Sequence, residues 1–237
     1  KLQEDDLYES IFDPPELISL AICGIAAVLM FYVVNYPPLW TLGVRKALPI
    51  YCVQRDQKLA SVSFDAAWGN EDTQQLIDIL DRYQVKATFF VVGDWVDKYP
   101  ESVKALHDAG HEVMNHSNDH AHMSQLSKEE IIADVDLQDK IEAVTGCGRP
   151  YSAALREYDD HVINAVRSLG MEPIQWDVDS LDWKSSRQEI AQRVTGKVQP
   201  GSIVLFHNAA KHTPEALPSI LTALIQEGYT FVPISQA

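Results

Sequence analysis

The chain has 237 residues, 46% of them hydrophobic, and 19 basic against 34 acidic residues give a net charge of −15 at pH 7. That length and apolar content allow one sizeable α/β domain with an appendage. The acidic balance excludes a nucleic-acid surface, which needs clustered Lys and Arg, and speaks against docking on anionic lipid heads.

Taken in order, residues 1–16 are polar and acidic, with Glu4, Asp5, Asp6, Glu9, Asp13 and Glu16 around Pro14 and Pro15. They read as a solvated tail. From Leu17 to Val34 there is no charged residue, and Tyr32, Tyr36 and Trp40 mark one end of the run. An apolar run of roughly 18–20 residues suits a membrane-crossing helix, and aromatic residues near its end suit an interfacial belt. A single transmembrane anchor over 17–36 is therefore expected. A cleaved signal peptide is the rival, but its shorter apolar core normally follows basic residues, and here the preceding flank is acidic. Arg45, Lys46 and Arg55 follow the span while only Lys1 precedes it. Taken literally, the positive-inside rule puts the C-terminal domain in the cytoplasm. Any segment before Lys1 would change that count, and the expectation adopted is a single-pass protein with its domain outside the cytoplasm.

Residues 37–58 read as a linker or short strand carrying Ile50-Tyr51-Cys52-Val53. Apolar runs at 60–64, 87–92, 112–115, 173–178, 203–207 and 230–234 then read as strands. Amphipathic segments near 73–83, 100–109, 128–144, 160–169, 187–195 and 214–226 read as helices. This alternation predicts a mainly parallel sheet, as a partial or distorted (β/α) barrel over 59–237. No GxGxxG or Walker A loop follows a strand, so nucleotide binding has no support. Cys23, Cys52 and Cys147 make neither a disulfide scaffold nor a zinc cluster. At most a Cys52–Cys147 bridge could form.

Several apolar runs end on residues able to do chemistry: Asp65, Asp94, His116 with His120, Asp179 with Asp182, and His207. One such residue is usually a cap or a solvated turn. A series on successive parallel strands would share the rim where (β/α) active sites form. His116-Ser117-Asn118-Asp119-His120 spaces two imidazoles four apart, which on a helical turn puts both on one face within reach of one divalent ion. Such an ion polarises a carbonyl and binds a water. Asp65 is placed to act as general base, His207 to protonate the leaving group, and Asp182 to keep His207 charged. Trp68 and Trp183 would supply apolar walls. This is equipment for metal-assisted amide or ester hydrolysis.

These residues resemble the short motifs of the polysaccharide deacetylase family (NodB-homology domain, carbohydrate esterase family 4), in the same order, from about Leu59 to the end. Phe64-Asp65 is similar to the first motif, whose first Asp is the base. His116 to His120 resembles H[ST]xxH, which supplies two metal ligands. Glu157-Tyr158-Asp159 is similar to the tail of the third motif. Asp179-Ser180-Leu181-Asp182-Trp183 resembles the fourth, whose Asp tunes the acid and whose Trp lines the acetyl pocket. Leu205-Phe206-His207 is similar to the fifth, whose His is that acid. The resemblance implies a distorted (β/α) barrel that removes acetyl groups from peptidoglycan or a related N-acetylated glycan. It implies a divalent metal, zinc first and cobalt, manganese or nickel as alternatives, on His116 and His120. Trp183, Leu205 and Tyr158 are implied as substrate-binding. Ala66 to Gly69, Ile50 to Val53 and the anchor most resemble the sporulation branch. Two departures bear on activity. Ala66 stands where the family has a second Asp, its third metal ligand, and Asp119, Asn70 or Asp65 are the candidates to replace it. Ser152 and Ala154 stand at the family's Arg and Pro, with Arg149 and Arg156 nearby. A weak or inactive homologue that binds glycan is the alternative that these departures imply.

Overall fold

The computed structural model describes residues 14–35, 46–146 and 152–237. Most of the acidic tail, Tyr36, Trp40, Cys147 and Arg149 lie outside the described residues. The chain divides into two units, Lys1–Lys46 and Ala47–Ala237. The first holds one helix, α1 (Pro14–Asn35), 22 residues long. Its described side chains, 18–32, are exposed and largely apolar. Among the described residues no helix is long and apolar enough to cross a membrane, so the expected span over 17–36 has no support there.

The second unit alternates strands and helices: β1 (Leu59–Ala66), α2 (Thr73–Arg82), β2 (Thr88–Val91), α3 (Gly93–Lys98), α4 (Pro100–Asp108), β3 (Glu112–Asn115), α5 (Lys128–Val135), α6 (Gln138–Thr145), β4 (Ser152–Ala154), α7 (Asp160–Ser168), β5 (Glu172–Ile174), β6 (Val178–Asp179), α8 (Arg187–Thr195), β7 (Ser202–His207), α9 (Thr213–Gln226) and β8 (Thr230–Phe231). The strands form one parallel sheet in the order β5-β4-β3-β2-β1-β7-β6, with β8 paired beside the start of β1. This is a half-barrel whose edges, β5 and β6, do not pair with each other. The stretch before β1 spans the gap: Ile50 bridges Ile174 on β5, and Cys52 bridges Ser202 on β7. Val53 N–H donates to the Gly201 carbonyl at 2.9 Å. Gly201 has φ +86°, and a Cβ there would overlap the Val53 carbonyl, so the close approach requires glycine.

Period-2 alternation sorts the side chains into two faces. On β1, Ala60, Val62, Phe64 and Ala66 join the large core under the helices, with Phe89, Val91, Val204 and Phe206 from the neighbouring strands. Phe64 stacks on Phe89 at 4.7 Å and on Phe206 at 5.6 Å. The opposite positions face the bore, where Phe90, Met114, Ala154, Ile174 and Ile203 form a separate apolar cluster. Ser61, Ser63, Asp65, Leu205 and His207 share that parity. The bore is thus apolar at depth and polar where β1, β3 and β7 end.

Candidate active site

Register places the first pair. Asp65 and His207 are Cα partners on the adjacent strands β1 and β7. Ala66 pairs with Val91, and Val91 with Asn115, so His116 emerges one step beyond on β3. His116 Nε2 lies 3.3 Å from Asp65 Oδ2. His116 Nδ1 lies 3.1 Å from the Ala154 carbonyl, an acceptor that keeps the proton on Nδ1. The Nε2 lone pair then faces the carboxylate, a contact that a proton or cation between them relieves. Asp65 is 6% exposed, and its Oδ1 has no hydrogen-bond partner. Burial raises its pKa against the lowering fields of His116 and His207, and Asp182 and Asp179 add to the rise.

His207 is fixed from one side. Its Nδ1 meets Asp182 Oδ1 at 2.7 Å, and its backbone N–H donates to Asp182 Oδ2 at 2.8 Å. Thr213 Oγ1 also donates to Oδ2, at 2.6 Å. Burial opposes the imidazolium, but the hydrogen bond and charge of Asp182, with Asp65 and Asp179 behind it, raise the pKa of His207 above its ordinary value. With Nδ1 committed, Nε2 is the free proton donor. The Trp68 indole stacks on the His207 ring at 5.5 Å and 24°.

His116 and His120 approach with ring centroids 4.9 Å apart. They do so on a loop rather than on the helical turn their spacing suggested, because Ser117 and His120 adopt φ +66° and +60°. The loop is held from outside. Asn115 Nδ2 donates to the Val135 carbonyl at 2.6 Å and Asn115 Oδ1 accepts from Ser117 N–H at 2.7 Å. Asp134 Oδ1 accepts from the N–H groups of Asn118 and Asp119, both at 3.2 Å. Arg156 donates to the His120 carbonyl at 3.2 Å. Burial, then the charges of His116, Arg156, His207 and His122, lower the pKa of His120 to about 4, leaving a neutral imidazole at pH 7. Leu181 and Ala209 also have positive φ. Among the described residues, four of the five non-glycine residues in that region therefore lie on loops after β3, β6 and β7, the usual place for stored strain.

The expected metal site is incomplete. Catalytic zinc takes three protein ligands. Among the described residues no group of three His, Cys, Asp or Glu donors is placed to hold an ion. Ala66 is fully buried in the large core and offers no donor. Asp119 is turned to Asp134, and Asn70 donates to Ser102 Oγ at 3.0 Å. Only Asp65 stands beside the pair, and as a ligand it would no longer be free as base. The residues present do not fit a three-ligand divalent ion.

The remaining expected residues divide. Trp183 follows Asp182 on the rim and is 57% exposed. Leu205 is buried on the same strand face as His207. Tyr158 packs beside Met123, Ile131 and their cluster, and its hydroxyl meets that of Tyr51. Asp94 is exposed on α3. Asn115, Asp134, Asn208 and Thr213 were not anticipated. Asn115 and Asn208 directly flank the two histidine motifs, which was the available signal.

The chain matches the polysaccharide deacetylase family over residues 53–174. It is 31% identical over 194 residues to the uncharacterized protein YlxY of Bacillus subtilis, covering 79% of this chain and 60% of that protein. It is 34% identical over 187 residues to the peptidoglycan-N-acetylmuramic acid deacetylase PdaC of Bacillus subtilis, covering 78% of this chain and 39% of that protein. The crystal structure of BA3943, a CE4 family pseudoenzyme from Bacillus anthracis, superposes with a TM-score of 0.77 at 35% identity, over 80% of this chain and 68% of that one. A mutant of that pseudoenzyme is described as having restored enzymatic activity.

Proposed function

The chain belongs to the polysaccharide deacetylase family, and we propose that its rim slowly hydrolyses the acetamido group of an N-acetylated cell-wall glycan of the peptidoglycan class. The observation that carries the reading is the pairing of Asp65 with His207 across β1 and β7, with Asp182 on the far nitrogen of His207. Asp65, poor in partners and raised in pKa, takes a proton from water as its oxygen adds to the acetyl carbon. The tetrahedral adduct collapses as His207 Nε2–H protonates the amine nitrogen and the C–N bond breaks, giving acetate and the free amine. Asp182 stabilises the imidazolium before transfer. The incomplete donor set at His116 and His120 makes the proposed turnover slow.

The test is acetate release from peptidoglycan and from chitooligosaccharide, with zinc, cobalt, manganese or nickel supplied in turn. His207→Ala should lower the rate ~10²–10⁴-fold, the range of general acid–base assistance. Release no faster than in His207→Ala under every metal would overturn the reading. Ala66, with Ser152 at the family's Arg position, favours a second reading, in which the chain binds glycan without turnover. Saturable glycan binding with no acetate and no zinc uptake would select it.

Attachment to a membrane through α1 and a place in sporulation are part of the proposal. The uncharged run from Leu17 to Val34 and the exposed apolar side chains of 18–32 support the first. The similarity of Ala66 to Gly69 to the sporulation branch supports the second. The expected result is a chain that pellets with membranes and needs detergent for release, its domain digested by protease added outside the cell. Recovery without detergent would remove the anchor from the proposal.

A further inference from the structure

Beside His207, an exposed aromatic ring sits on a loop whose backbone is tied down. Trp68 is 53% exposed although its indole already covers one face of His207. Asn208 Oδ1 accepts from the N–H groups of Ala67 and Trp68, at 3.2 and 3.4 Å. The Gly69 carbonyl accepts from Asn208 Nδ2 and from the buried Trp95 Nε1, the latter at 3.1 Å. The Glu71 carboxylate folds back against Gly69. Pinning a large apolar ring half in water gains little for folding, since its burial is incomplete. The ring borders a cleft of about 450 Å³ between the β1–α2 loop and α3. Trp68, Glu71, Asp94, Lys98 and Tyr99 line it, and Lys98 Nζ lies 5.0 Å over the Tyr99 ring.

We propose that this cleft is a subsite for the sugar next to the one being deacetylated, with Trp68 as its stacking platform. The proposal rests on the glycan reading above and deepens it. A polymer whose reacting nitrogen lies at His207 Nε2 must carry its next residue off the rim, and the cleft begins at the ring stacked on His207. A pyranose presents an apolar C–H face and an equatorial belt of hydroxyls. The indole matches the first, and Glu71, Asp94 and Lys98 match the second as acceptors and donor. Mixed charge suits a neutral sugar better than a polyanion.

The experiment uses the whole chain and measures the affinity of N-acetylglucosamine and of its β-1,4-linked pentamer by calorimetry, with acetate release followed in parallel. The wild type should bind the pentamer more tightly than the monomer. Trp68→Ala should weaken the pentamer at least about fivefold more than it weakens the monomer, while Trp68→Phe retains most of the gain. Glu71→Gln and Lys98→Ala, both on exposed side chains, should each weaken the pentamer by a smaller factor. Equal affinity for monomer and pentamer, or a Trp68→Ala chain that binds the pentamer like wild type, overturns the subsite. Trp68-dependent pentamer binding without acetate release supports the subsite and overturns turnover alone. Acetate release whose KM ignores Trp68 overturns the subsite alone.

Discussion

At the scale of single residues, His207 shows how placement sets protonation. Its acidic form is the working one, so turnover should fall as pH rises through its raised pKa. Asp182→Asn removes the charge that holds that pKa up. The alkaline limb of the pH profile should then move to lower pH, with turnover reduced ~10²-fold. Nitrogen NMR of the His207 ring checks the shift even where turnover is too slow to follow. His111 titrates in the opposite sense. Burial first, then the charge of Lys86, lower its pKa to about 4 from 6.5, and its Nδ1 accepts from Ala87 N–H at 3.2 Å. Between those pH values the unfolded chain binds a proton that the folded chain refuses, so this group removes stability as pH falls through 6.5 towards 4. His111→Gln keeps an acceptor and loses the titration. Its melting temperature should fall less steeply from pH 7 to pH 4.5 than that of the wild type, and parallel curves would contradict the assignment. Asp65 and His207 were legible in the sequence because each ends an apolar run. Asp134 and Thr213 were not, because each acts on a partner far away in the chain, and no local pattern encodes that.

Among the elements, the loop after β3 depends on α5. Asp134 gives one oxygen to two backbone N–H groups of the histidine loop, and neighbouring Asp119, after burial, raises its pKa to about 6. Asp134→Ala takes the acceptor from Asp119 N–H, while Asn118 N–H keeps the Asp134 backbone carbonyl at 2.7 Å, and the change should cost about 1 kcal/mol. It should also loosen the His116–His120 pair, read as shifted and broadened ring signals of both histidines in nitrogen NMR. Unchanged melting and ring signals would show that the loop holds itself. The strand at 112–115 was legible to the residue, and helix 187–195 likewise. The expected helix at 128–144 is two, because the chain turns at Asp136 from one core to another. Val135 packs with Ile131 in one cluster and Leu137 with Ile141 in the larger one. The expected strand at 173–178 is also split, into β5 and β6 at opposite edges of the sheet. β4 escaped notice because Ser152-Ala153-Ala154 has no large apolar side chain, although all three are buried.

For the whole molecule, alternation of period 2 and period 3.6 segments was enough to read a parallel sheet with helices outside. How the sheet ends was not readable, since closure depends on bridges between residues more than a hundred positions apart. Those bridges set a limit on truncation. A chain starting at Ala47 keeps Ile50, Cys52 and Val53 against the sheet and should melt like the full chain. A chain starting at Leu59 loses all three and should melt at least several degrees lower, as loss of about 1–2 kcal/mol does in a domain of this size. Equal melting of the two truncated forms would show that the strap contributes nothing.

The strap also fixes an order of events during synthesis. Ile50 and Cys52 leave the ribosome early, yet their partners Ile174 and Ser202 follow only after 124 and 150 further residues. Until β7 is out, the nascent half-barrel has an unsealed seam and a wet bore, and its first-made segment must wait for nearly the last. The pocket of Asp65 and His207 is therefore completed late, and a stalled or prematurely released chain carries the histidine loop without the acid that faces it.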